Sequence, residues 1–239
     1  MASKLRGKVA LITGGSQGIG LAIAHALAAE GCDVVISGRK AATLKKAAAQ
    51  LARHRVKILA SVCDVRDEKA VKALLAEIGR KFPRLDILVN NAGVAHGLIP
   101  VEKLPTAVWK EVIYTNLTGT FLVTRAALRL MKRGAVILNN LSIAAKVPFA
   151  GLSGYVAAKH GAFGLTKTLR EELRPKGIRV IALLLGAVDT DIWDSFWAEA
   201  PRQKMMSAVT VAQAVVDAIR LPDNSTVEEL VIRPTAGTL

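Results

Sequence analysis

The chain has 239 residues, about half of them apolar (51%), enough for a sizeable core and, by length, for one or two domains. Its net charge of +14 suits phosphates, carboxylates or an acidic partner protein, but aromatics are only 4% and no nucleic-acid-binding motif is present, so nucleic acid is not expected as a partner. Cys32 and Cys63 make neither a disulfide nor a metal pattern, so a reducing compartment and no metal site are expected.

The polar, basic start over 1–8 leads into no long apolar stretch, and the greasiest run, 180–188, is too short to span a bilayer. Neither a secretory signal nor a membrane association is expected, and a cytoplasmic location is. The positive charge is clustered: 34–63 and 112–170 contain no Asp or Glu. Each cluster taken singly reads as a solvated basic face.

Residues 8–12 read as a buried strand. Thr13-Gly14-Gly15-Ser16-Gln17-Gly18-Ile19-Gly20 follows, then a helix-period stretch over 19–30, a stop at Gly31 and a second strand over 33–37. In such a βαβ unit a glycine turn brings backbone N–H groups and a helix N-terminus up to a pyrophosphate. An ordinary strand–helix turn is the alternative. The spacing, Thr-Gly-x-x-x-Gly-x-Gly, resembles the short-chain dehydrogenase/reductase family. The resemblance implies cofactor contacts from Gly14, Ser16, Gln17, Gly18, Ile19 and Gly20.

After the second strand stands Ser37-Gly38-Arg39-Lys40, with no acid. A carboxylate there would bind the ribose hydroxyls of NAD and repel the extra phosphate of NADP, whereas Arg39 can grip a phosphate through its fork. NADP(H) is therefore expected over NAD(H), with Ser37, Arg39 and Lys40 at the adenosine end. A solvated Arg39 is the other reading.

Residues 41–52 read as an Ala/Lys-rich helix and 56–62 as the third strand, which leads into Cys63-Asp64-Val65 and a helix over 67–81. The resemblance implies that Asp64, with Val65, holds the adenine; as a residue, Asp64 serves equally as a helix N-cap. The fourth strand, 85–89, runs into Asn90-Asn91-Ala92-Gly93, which matches the family. Small residues there let a cofactor lie against the strand ends, and Asn amides tie adjacent turns together. Asn91, Ala92 and Gly93 are expected at the cofactor.

Pro105 and Gly134 bracket one long helix over 106–131. Asn116 lies inside it, where an amide competes for backbone hydrogen bonds. The resemblance implies that Asn116 kinks the helix and anchors a proton relay; a buried structural Asn is the alternative. The fifth strand, 135–141, ends at Ser142. Alone, Ser142 reads as a turn residue, but at a strand's carboxyl end its hydroxyl can donate to a carbonyl oxygen.

Tyr155 and Lys159 lie four apart on a helix over 153–173, hence on one face. A free phenol, with a pKa of about 10, is a poor proton donor near neutrality; a nearby ammonium lowers that value. By itself the pair reads as a half-buried Tyr and a surface Lys. The resemblance implies a catalytic tetrad of Asn116, Ser142, Tyr155 and Lys159, with Tyr155 and Lys159 also touching the cofactor.

The sixth strand, 178–184, leads into Leu185-Gly186-Ala187-Val188-Asp189-Thr190. The family usually has Pro before this glycine. Gly186, Val188 and Thr190 are expected at the nicotinamide, and Leu185 puts the loop's rigidity in question. Trp193, Phe196, Trp197, Met205 and Met206 then line an apolar pocket, form a lid's own core, or meet another subunit. His96, Ile143 and Phe149 are further pocket candidates. A helix over 209–220 and a strand over 227–232 follow.

The expected fold is α/β: a single doubly wound Rossmann-type domain over 1–239. The resemblance implies a parallel seven-stranded sheet in the order 3-2-1-4-5-6-7. The expected activity is hydride transfer between NADP(H) and a small-molecule carbonyl or secondary alcohol. A 3-oxoacyl thioester is one substrate candidate, its acyl carrier protein meeting Lys132, Arg133 and Lys176. The segment 227–234 resembles 3-hydroxyacid and broad carbonyl reductases instead. A non-catalytic NADP-binding sensor would have no need of Tyr155 or Ser142. The resemblance further implies a homodimer or homotetramer built on helices 106–131 and 153–173, unless Leu117, Phe121 and Leu128 face the sheet.

Overall fold

Runs such as Val9-Ala10-Leu11-Ile12 and Val34-Val35-Ile36 carry apolar side chains at consecutive positions, so their strands need cover on both faces. The computed structural model, which describes residues 5–195 and 197–237, supplies it. The elements are β1 (Val9–Thr13), α1 (Gly18–Ala29), β2 (Asp33–Gly38), α2 (Ala41–Leu51), β3 (Ile58–Val62), α3 (Glu68–Lys81), β4 (Leu85–Asn90), α4 (Thr106–Ile113), α5 (Gly119–Ala127), β5 (Met131–Asn140), α6 (Ser153–Leu173), β6 (Arg179–Leu185), α7 (Ala208–Ile219) and β7 (Glu229–Ile232).

The sheet has seven strands in the order β3-β2-β1-β4-β5-β6-β7, as expected, and all its pairings are parallel. Strand order reverses between β1 and β4, which opens a crevice at the carboxyl ends of the strands. Alternate residues feed two cores. Ile12, Ile36, Leu138 and Leu183 pack on Ile23 and Leu27 of α1 and on Val215 and Ile219 of α7. Leu11, Val35, Leu88 and Val180 pack on Leu74 and Ile78 of α3 and on Val123 of α5. Each fully buried aliphatic side chain contributes about 1.5–3 kcal/mol.

Two expectations change in the middle of the chain. The helix over 106–131 is two helices joined by a π-helical turn, Tyr114–Thr118, closed by the Gly119 N–H donating to the Tyr114 carbonyl. It ends at Ala127, because the Leu130 carbonyl is taken by the Leu85 N–H at 2.9 Å and Met131 already pairs with Leu85 in the sheet. β5 therefore begins before residue 135, and a register shift between Leu85 and Ile87 absorbs the extra length. At the far edge β7 starts at Glu229, since the ladder's first acceptor is the Glu228 carbonyl, bound by the Ala182 N–H.

The apolar stripe on α5 and its preceding turn is divided. Leu117 packs beside Leu141 and Ala162, Leu128 joins the core under α3, and Phe121 is exposed. Cys32 and Cys63 are both buried, and burial pushes their thiols up to about 12 and about 11. Among the described residues, no helix is long and apolar enough to cross a membrane, and no group of three or more His, Cys, Asp or Glu could hold a metal ion.

Candidate active site

The glycine turn is locked to the end of β4 by polar contacts. Thr13 Oγ1 accepts from the backbone N–H groups of Asn91 and Ala92, each at 3.0 Å. Asn91 Nδ2 donates to the carbonyls of Thr13 (3.0 Å) and Gly14 (3.1 Å). A Cβ on Gly20 would stand 2.4 Å from both Asn91 Nδ2 and the Gly14 oxygen, so only glycine lets α1 start this close. Gly18 has φ +53°, the left-handed region. Gln17 offers α1 no side-chain cap, so none of its first N–H groups is taken by a capping side chain.

One strand further, β5 and α6 bring the proposed chemistry together. The Ser142 hydroxyl accepts from the Ala144 N–H at 3.1 Å and lies beside the Tyr155 phenol on the cleft lining. Lys159 is only 6% exposed; its Nζ donates to the Asn140 carbonyl at 2.9 Å and lies 5.5 Å from the centre of the Tyr155 ring. Burial drives the ammonium's pKa down to about 8. Burial also pushes the phenol up, and the hydrogen bond from Ser142 works against that rise. The ammonium itself is directed at the Asn140 backbone carbonyl at the end of β5.

Asn140 extends this contact sideways. Its Nδ2 donates to Asn91 Oδ1 at 2.8 Å, so a continuous polar chain runs from Lys159 through Asn140 and Asn91 to the glycine turn. Below it, Asn90 Nδ2 donates to Asn139 Oδ1 (2.8 Å), and Asn139 Nδ2 to Thr166 Oγ1 of α6 (2.9 Å), fixing that helix to the sheet. Asn116 sits in the π-helical turn and clamps the loop after β4. Its Oδ1 accepts from the Val94 N–H (2.9 Å) and its Nδ2 donates to the Val94 carbonyl (2.8 Å). It stands behind the cleft wall, not on it.

These elements border one cleft of about 590 Å³. Gly14, Ser16, Gln17, Gly18 and Ile19 line its floor, and Arg39, Lys40, Asp64 and Val65 one end. Asn91, Ala92 and Gly93 lie along its middle, with Ser142, Tyr155 and Lys159 beyond them. Gly186, Val188 and Thr190 line the far side, and Ile143, Phe149, Trp193 and Trp197 wall the other end. Leu98 and Leu152 join that apolar wall, with no sequence pattern to mark them.

Several expected contacts lie elsewhere. Gly20 is the packing point just described. Ser37 is fully buried below the lining, its Oγ without a partner. His96 is buried too: its Nδ1 is 2.7 Å from the Gly97 carbonyl, and its Nε2 lies against Gly154 rather than in the cleft. Phe196 falls outside the described residues. Lys132 and Arg133 stand near the amino-terminal end of β5, and Lys176 shortly before β6. That is the edge of the sheet opposite the cleft, so they do not flank it. Asp64 is neither a free carboxylate nor the helix cap: Arg66 grips it through Nη2 at 2.6 Å and Nε at 3.0 Å, holding its carboxyl below the usual range. Asp67 caps α3 by accepting from the Lys69 N–H at 2.8 Å.

Leu185, where the family has proline, is the buried last residue of β6. The loop after it is held without proline. Gly186 N–H donates to the Ile232 carbonyl (2.8 Å), Asp189 N–H to that of Met206 (2.9 Å), and Trp193 Nε1 to that of Val188 (2.8 Å). Arg202 adds a bond to the Thr190 carbonyl at 2.8 Å.

The arrangement fits an extended dinucleotide. Backbone is bared at Gly14 and Gly18, a guanidinium stands at the end of β2, and the buried Asn140 Oδ1 and Thr115 Oγ1, both unpartnered, border the cleft.

Comparison with known proteins agrees. Residues 8–201 match the family described as short chain dehydrogenase. An uncharacterized oxidoreductase of Bacillus subtilis is 40% identical over 190 residues, 79% of this chain and 74% of that protein. A 3-oxoacyl-[acyl-carrier-protein] reductase of Aquifex aeolicus is 37% identical over 195 residues, 80% of this chain and 78% of that protein. Among solved structures, an alcohol dehydrogenase from the archaeon Thermococcus sibiricus, complexed with 5-hydroxy-NADP, superposes with a TM-score of 0.89 at 31% identity, covering 95% of this chain and 97% of that one.

Proposed function

The chain belongs to the short-chain dehydrogenase family, and from that premise we propose that it moves hydride reversibly between NADP(H) and a carbonyl/secondary alcohol pair. The observation that carries the proposal is that Ser142, Tyr155 and a buried Lys159 line the same cleft as the glycine turn.

When bound, the nicotinamide supplies or accepts the hydride. The side chains do the rest. Ser142 Oγ donates to the substrate oxygen, which gains negative charge as reduction proceeds, and stabilises it there. Tyr155 delivers its proton to the same oxygen and is left as phenolate; in the oxidative direction that phenolate takes the alcohol's proton and the phenol is restored. Lys159 keeps a positive charge beside the phenol and the cleft. Asn116, through its clamp on Val94, positions the loop between Gly93 and the substrate end.

Arg39 on the lining, and the lack of an acid at the end of β2, support NADP(H) over NAD(H). The NADP analogue in the Thermococcus alcohol dehydrogenase supports the same reading. The apolar wall of Leu98, Phe149, Leu152, Trp193 and Trp197 favours a substrate with an apolar body, such as a 3-oxoacyl thioester or a hydrophobic ketone. The Aquifex reductase points to the former. Arg233, also on the lining, supports a second reading, a 3-hydroxyacid held by its carboxylate. The exposed aromatic side chains of Trp109, Tyr114 and Phe121 along α4 and α5 support a homo-oligomer.

The test is NADPH oxidation over a panel of hydrophobic ketones, β-ketoacyl thioesters and 3-oxoacids, repeated with NADH. Turnover of at least one class, with kcat/KM higher for NADPH, is expected. No turnover across the panel overturns the enzyme reading, and equal values for the two cofactors overturn the NADP assignment.

A further inference from the structure

Four charged side chains meet where β2 and β3 end. Arg39, on the cleft lining, has its Nη1 3.6 Å from Glu111 Oε1 of α4. The same carboxylate oxygen is 3.6 Å from Nη1 of Arg66. Arg66 is already committed, since its Nη2 and Nε close on the Asp64 carboxylate at 2.6 and 3.0 Å. Arg39 has no such tight fork: its ion-pair contact among the described residues is the loose one to Glu111, and its side chain is half exposed. Glu111 does not line the cleft. It reaches Arg39 from behind while leaning on a second cation that stays with Asp64.

We propose that Glu111 sets cofactor specificity by occupying Arg39 as a displaceable stand-in for the 2′-phosphate of NADP(H), retreating onto Arg66 when that phosphate arrives. The inference rests on the NADP reading above. A partly exposed ion pair at this separation contributes little, whereas a phosphate accepts two charge-assisted hydrogen bonds from one guanidinium. The carboxylate is therefore displaced at small cost, yet its negative charge stays close enough to oppose the incoming phosphate. NAD(H), lacking the phosphate, leaves the Glu111–Arg39 contact undisturbed. The acid missing from the end of β2 is in effect supplied from α4, as a weaker and movable one.

Isothermal titration of the whole chain with 2′,5′-ADP and with 5′-AMP separates the two ideas. Wild type is expected to bind 2′,5′-ADP more tightly. Glu111→Gln, which keeps the side chain's size at a half-exposed helix position, is expected to tighten 2′,5′-ADP about 3- to 10-fold, leave 5′-AMP within about twofold, and lose the gain as salt is raised. In an Arg39→Met background the gain should vanish. If Glu111→Gln leaves 2′,5′-ADP binding unchanged or weakens it while wild type still prefers it to 5′-AMP, the inference fails and the NADP reading stands. If wild type shows no preference, the NADP reading fails and the inference falls with it.

Discussion

Lys159 and Asn91 are joined through a single residue: Asn140 accepts from the ammonium with its backbone carbonyl at 2.9 Å and donates to Asn91 with its amide at 2.8 Å. The group that carries charge beside the phenol and the group that fastens the glycine turn thus share one support at the end of β5. Asn140→Ala removes the amide and leaves Asn91 Oδ1 without this donor. We expect a loss of about 1–3 kcal/mol in denaturant unfolding and a weaker NADPH complex, by titration, although Asn140 donates nothing to Lys159. Unchanged affinity for NADPH would show that the two supports are independent.

Tyr155→Phe removes only the hydroxyl beside Ser142 on the cleft lining. Turnover should fall by several powers of ten while the NADPH dissociation constant stays within about threefold, because the ring still packs against the cleft. Stopped-flow turnover beside a fluorescence titration of NADPH reads both.

The pKa of Lys159, lowered by burial to about 8, sets a pH window. In the unfolded chain a lysine keeps its proton to about pH 10.4. Between those values the unfolded state binds more protons, so stability without cofactor should rise with pH from about 8 to about 10, and this increment should be missing in Lys159→Met. Below pH 8 both states are protonated, and the burial penalty is full and constant. A bound anionic cofactor favours the ammonium, so NADPH binding near pH 8.5 should take up a proton. Calorimetry in buffers of different ionisation enthalpy measures that uptake; none in wild type would contradict a cation at the cleft.

Gly20→Ala is predicted to fail for a backbone reason. The added methyl would lie 2.4 Å from the Gly14 carbonyl oxygen, which cannot move without opening the turn, and 2.4 Å from Asn91 Nδ2. A loss of about 1–3 kcal/mol and a large drop in NADPH affinity are expected, by thermal unfolding and titration. Gly164→Ala, on α6 with nothing within 4 Å of its Cβ, is the control and should be neutral or slightly stabilising.

The strands, helices and glycine turn were legible from local pattern, namely apolar runs, a glycine turn between strand and helix, and side chains at helical spacing, whereas the strand order and most cleft residues followed from the family resemblance. What was not legible depends on partners distant in sequence or on backbone choices without a compositional mark. Asn116 marked Tyr114-Thr115-Asn116-Leu117-Thr118 as a break in the helix, but its form, a π-helical turn, shows only in the Gly119–Tyr114 bond. Met131-Lys132-Arg133-Gly134 reads as a helix end with a glycine stop, yet sheet pairing with Leu85 claims it for β5. Asp64 stays on the cleft lining, and its pairing with Arg66 is a contact that its position in the sequence does not reveal. His96 sits three residues beyond Gly93 in the sequence, but its ring turns inward onto Gly154. Leu185 left the loop's rigidity open in the sequence, and hydrogen bonds from Gly186, Asp189 and Trp193 hold the loop.

The two cysteines bear on how ligand binding to this protein can be followed. With thiols held near 12 and 11 and buried, almost no thiolate forms at neutral pH, so maleimides and similar alkylating reagents should leave the folded native chain untouched. A single Cys placed at the exposed Glu199, beside the tryptophans of the apolar wall, would then accept a fluorophore or spin label against a silent background. Ligand binding at that end of the cleft could then be followed without first stripping the chain of its own sulfur.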